Sequence, residues 1–150
     1  MSSRLRHQDR IRAKVIGIGT ICALSACHSV ATRTNAEEDV EKAKDRVELF
    51  YAGLLDRQLD VLLPMVGPEL APDTLRLIVE GVSDTLGTMI DASVIEVGTY
   101  IESEDGVETS IDCKAEVEVD YSRGKTQEVV YLRGTNLDSA KVSGYFISLR

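Results

Sequence analysis

The chain predicts an α+β domain: two to three N-terminal helices packed on a curved, four-stranded antiparallel meander sheet. Three observations carry this. Apolar residues recur every three or four positions as far as residue 86, the repeat of one helix face. From residue 93 the repeat shortens to two, that of a half-buried strand. All three prolines, Pro64, Pro68 and Pro72, fall between helical stretches, where an interior proline would break a helix.

The first 26 residues are a different kind of segment. They hold five basic side chains and one acid, a balance of +4, whereas the remainder holds twelve basic and twenty-four acidic, a balance of −12. The basic start leads into twelve uncharged residues, 15–26 (VIGIGTICALSA). A bilayer crossing needs about 20 apolar residues, so this run is too short to span. A basic head, a brief apolar core and small residues at its end predict a secretory signal. Leu24-Ser25-Ala26-Cys27 resembles the bacterial lipobox, in which the Cys thiol receives a diacylglycerol and the leader is removed before it. That resemblance implies a lipidated Cys27 as the first mature residue, and His28 after it implies export to the outer membrane, facing the periplasm. An inner-membrane or Gram-positive cell-membrane location stays open. Several acyl chains hold a protein stably, at about 0.8 kcal/mol per buried CH₂.

Residues 27–35 read as the lipidated Cys and a polar tether, and 36–150 as one domain. Asn35 is placed to cap the first helix, with Glu38 three residues on completing a capping box. Val40, Ala43, Val47, Phe50 and Leu54 line one helical face, and charges fill the other. A short helix is predicted near 58–63. A third starts with Asp73 as its cap, presents Leu75, Ile78, Val79, Val82 and Leu86, and stops at Gly87. Strands are predicted at 94–103, 107–122, 126–134 and 140–149, with Asp105-Gly106 as a two-residue hairpin turn.

This order of long helix, short helix, third helix and long strands is similar to the nuclear transport factor 2-like (cystatin-like) cone. Residues 50–56 (FYAGLLD) resemble the end of that superfamily's first helix, and 141–147 (KVSGYFI) its closing strand. A Trp often stands there where this chain has Val142. The resemblance implies a cone whose interior either binds a ligand or, in the enzymes, uses His, Asp and Tyr.

Little in the sequence speaks for catalysis. The only histidines are His7, in the leader, and His28, in the tether, so 36–150 has no imidazole acid–base or zinc ligand. No cofactor is expected, and no basic stripe suggests a nucleic acid. Cys22 departs with the leader and Cys27 carries lipid, leaving Cys113 unpaired. Tyr51, Cys113 and Tyr131 are candidate cavity residues, although each also fits as core. Asp112, Glu116, Glu118 and Asp120 share the wet face of the longest strand, which is simply solvated, a surface for a basic partner, or carboxylates bridged by calcium, for which no loop spacing speaks. The strand 126–134 shows apolar residues on both faces, which suggests a covering loop, a homodimer or a partner.

Three functions follow: a non-catalytic envelope lipoprotein binding an apolar ligand or neighbouring protein, an immunity or inhibitor lipoprotein neutralising a basic toxin, and a cone-cavity enzyme. The lipid has a direct check. Replacing Cys27 with Ser is expected to abolish lipid labelling and move the protein out of the membrane fraction. Continued sedimentation through an uncleaved leader would contradict the lipobox.

Overall fold

The computed structural model describes residues 29–149. The leader and Cys27 lie outside the described residues. Five strands form one open antiparallel sheet in the order β1-β2-β3-β4-β5, with three helices between the first two strands. The strands are β1 (Val30–Thr34), β2 (Met89–Glu104), β3 (Val107–Tyr121), β4 (Gly124–Gly134) and β5 (Lys141–Leu149). The helices are α1 (Glu37–Leu55), α2 (Leu59–Leu62), which runs on into a 3-10 turn at Leu63–Met65, and α3 (Pro72–Leu86). None of the described helices is long and apolar enough to cross a membrane.

The strand count corrects the expectation of four. β1 lies where a polar tether is predicted, and it pairs with the end of β2, Val30 against Glu104 through Thr34 against Tyr100. All five of its side chains are exposed. Its backbone hydrogen bonds make it a strand, and no buried face leaves a repeat in the sequence. The capping box is also replaced. Asn35 adopts a left-handed φ of 51°, which Asn tolerates, and its Oδ1 accepts from the Thr99 amide at 2.8 Å. Asn35 therefore joins β1 to β2, and α1 has Ala36 at its N-cap position with no side-chain cap.

Elsewhere periodicity locates the elements well. Ala43, Val47, Phe50 and Leu54 of α1 are buried, with Val40 half-buried beside them. On β3, Ile111, Cys113, Ala115, Val117, Val119 and Tyr121 are buried while the alternate residues remain wetter. Asp105 and Gly106 both take positive φ, 50° and 81°, as a tight hairpin between β2 and β3 requires. Ser122 and Arg123 form the next turn, since Tyr121 already pairs with Gly124. α3 begins with Pro72 at its first turn and ends at Gly87, whose φ is 83°.

β2 is longer than predicted because it continues back to Met89, and three register shifts bend it. α1 packs on the sheet chiefly against β2, and its apolar stripe shares one core with Ile101, Ile111, Val117, Val130 and Val142. α3 is seated less deeply. Only Leu75 is buried, and Ile78, Val79, Val82 and Leu86 are half-covered. The proline-rich segment touches the last strand, where Val66 bridges Val142 and the Gly67 amide donates to the Val142 carbonyl at 2.8 Å.

Candidate functional site

The most concentrated polar chemistry inside the domain surrounds Glu128. In β4, Thr126, Glu128, Val130 and Leu132 are in phase and point into the core, and Glu128 has no exposed surface. The apolar residues on both faces of 126–134 mask this acid in the sequence, although it is in register with buried Val130 and Leu132. A buried carboxylate must find donors. Tyr51 of α1 donates to its Oε2 at 2.8 Å, and Tyr145 of β5 donates to the same oxygen at 2.5 Å. Tyr121 of β3 and Thr126 donate to Oε1 at 2.9 and 2.8 Å.

Four hydroxyls thus fill the roughly four lone-pair directions that a carboxylate offers. The rings pack edge-on: Phe50–Tyr51 centroids lie 5.6 Å apart, Phe50–Tyr145 5.8 Å and Tyr51–Tyr145 6.5 Å. Burial, followed by the adjacent Glu128 charge, pushes the Tyr51 and Tyr121 hydroxyls well above the usual tyrosine range. Burial, then neighbouring Tyr51 and Glu128, does the same for Tyr145. Chemically, such a carboxylate presents no free lone pair with which to take a proton from a substrate. It acts as a polar clasp between α1, β3, β4 and β5.

The residues singled out from sequence do not converge. Tyr51 is buried and belongs to the clasp, though it also lines a cleft of about 400 Å³ between α1 and the start of β2, with Lys44, Glu48, Leu55 and Val94. Cys113 is buried on the inward face of β3, and burial, aided by nearby Asp112 and Asp39, pushes its thiol up to about 12. It therefore behaves as a small apolar residue. Tyr131 lies on the opposite, outer face of the sheet, 39% exposed, with its ring edge-on to Phe146 at 5.9 Å. It belongs to no interior cavity.

The acids of β3 do share the wet face as predicted, but basic neighbours meet them. Lys114 pairs with Glu116 at 2.6 Å, Lys125 with Asp120 at 2.9 Å, and Arg133 with Asp112 at 2.8 Å. Glu118 lies across from Gln127 of β4. Among the described residues, no three His, Cys, Asp or Glu side chains are grouped to hold a metal ion.

An apolar groove of about 460 Å³ runs between α3 and β5. Leu77, Ile78, Val82, Leu86, Phe146 and Leu149 line it. Phe146 is 62% exposed and Leu149 67%. β5 is the last strand of the sheet, and past the Val66 bridge its outer edge adjoins this groove. The signal for it was present in sequence as the apolar face of α3, which reads there as core.

The clasp makes a pH prediction. Folded tyrosines with pKa values above the unfolded value of about 10 keep their full contribution to stability below that pH. The contribution is lost as pH rises further, because the unfolded chain ionises first. In an alkaline titration, Tyr51, Tyr121 and Tyr145 are expected to form tyrosinate only as folded circular dichroism disappears. Ionisation of all five tyrosines near pH 10 in folded protein would contradict the clasp. No protein-family model matches the chain, and no curated protein or solved structure does either.

Proposed function

We propose that the protein is a lipid-anchored envelope protein whose domain is a non-catalytic, cystatin-like cone that binds a neighbouring protein. The single observation that carries the binding role is the groove between α3 and β5, because it joins exposed apolar side chains to an unpaired strand edge. An extended segment of a partner can add backbone hydrogen bonds to such an edge and sink alternate apolar side chains into the groove. Charge favours a basic segment, since residues 27–150 carry a balance of −12.

Support for a non-catalytic domain comes from three observations. Glu128 has its acceptor positions filled by four hydroxyls. Cys113 is buried, and residues 29–149 contain no His. The bent β2 and the crossing of α1 over the sheet support the cone form. The location stays as the lipobox resemblance implies, the periplasmic face of the outer membrane. The toxin-inhibitor alternative draws on the same acidity, but Lys114, Lys125 and Arg133 offset part of the stripe on which it relies.

A photo-crosslinking amino acid placed at Phe146 in living cells is expected to give a discrete protein adduct. Leu77→Glu, on the other wall of the groove and 69% exposed, is expected to reduce that adduct about tenfold while leaving thermal unfolding nearly unchanged. No adduct, or one indifferent to Leu77→Glu, would count against the groove.

A further inference from the structure

The tether predicted between Cys27 and the domain is consumed by structure. The Ser29 carbonyl accepts from the Asp105 amide at 2.9 Å, and the Ser29 amide and hydroxyl donate to Asp105 Oδ1 at 3.1 and 3.3 Å. β1 starts at the next residue. Arg33 then fixes β1 from both sides. Its guanidinium donates twice to Asp39 at the start of α1, at 2.5 and 3.0 Å, and once to Glu108 of β3 at 2.5 Å. Only His28 separates Cys27 from this fixed point. Two residues reach about 7 Å at full extension. The polar headgroup layer on each side of a bilayer is itself roughly 5–8 Å thick.

From this we infer that the domain stands end-on to the membrane, with the β2–β3 hairpin end against the phospholipid headgroups. The inference rests on lipidation of Cys27. Val30 pairs with Glu104, and Glu104 pairs with Val107, so the two valines lie in one cross-strand row at that end. They are 69% and 67% exposed, and they meet the lipid surface. Glu102, Glu104, Asp105 and Glu108 make the same end acidic, so the lipid anchor holds this contact and attraction to anionic headgroups does not. The opposite end is remote. β3 is 15 residues long, about 45–50 Å at ~3.3 Å per residue. Leu149 pairs with Thr126, and Thr126 with Val119, so the end of β5 lies near that far end. The α3–β5 groove is thereby presented to the periplasm and away from the bilayer.

The test uses the full chain, lipidated in cells and reconstituted into phosphatidylethanolamine–phosphatidylglycerol vesicles carrying an acceptor dye on a fraction of headgroups. A donor dye is attached at Val107→Cys or Ser148→Cys, and buried Cys113 is spared under native conditions. Quenching several-fold stronger at residue 107 than at 148 is expected. A 20-residue Gly/Ser insertion after His28, with an r.m.s. span of about 25 Å, is expected to erase the difference. Equal quenching in the native-length protein, or a contrast that survives the insertion, would overturn the orientation. Vesicle flotation and intact mass separate the two ways of failing. Lipidated, floating protein with equal quenching removes the orientation alone, whereas a bare Cys27 without flotation removes the lipid anchor and the orientation together.

Discussion

One buried carboxylate sets the geometry of the interior. Glu128 stands where an apolar side chain would otherwise belong, in register with Val130 and Leu132. Its burial is tolerable only because four hydroxyls from three strands and a helix reach it. Each hydroxyl fixes the position of its own element. Tyr51 sets the rotation of α1 over the sheet, Tyr121 holds the end of β3, and Tyr145 holds β5. Apolar burial supplies the larger share of stability, but it is non-directional. A saturated polar cluster favours one arrangement of these elements over others that would bury similar area.

That clasp also separates the two ends of the molecule by role. Near the Asp105 turn, Ser29, Arg33 and Asp39 knit the beginning of the described chain to α1 and β3. Beyond the clasp, α3 rests on the sheet by a half-buried face, and β5 ends in exposed Phe146 and Leu149. The proposed lipid anchor at the first end and the exposed apolar surface at the second would together suit a protein that meets a partner away from the membrane.

Most of this architecture was legible in sequence, for reasons specific to each element. The stripe from Ala43 to Leu54 and the alternation from Ile111 to Tyr121 reflect burial on one face, which leaves a period. Asp105-Gly106 was legible because two consecutive positive φ angles restrict the residues allowed. β1 was not, since backbone pairing to Tyr100–Glu104 makes it a strand and no side chain of it is buried. Asn35 misled because its side chain bonds equally well to a neighbouring strand as to a helix start. Glu128 was missed. Its phase with Val130 could have marked it as inward, but its donors are 77, 17, 7 and 2 residues away, and only the fold brings the tyrosines to it.

The clasp is most directly tested by equilibrium urea unfolding of Glu128→Leu, alone and combined with Tyr51→Phe, Tyr121→Phe and Tyr145→Phe. Leucine strands the buried hydroxyls, each at about 1–3 kcal/mol, so the single variant is predicted to lose at least about 3 kcal/mol. Removing the three phenolic hydroxyls as well is predicted to restore most of that loss. A single variant as stable as the parent, or a combined variant that falls further still, would contradict the clasp as the organising contact of this fold.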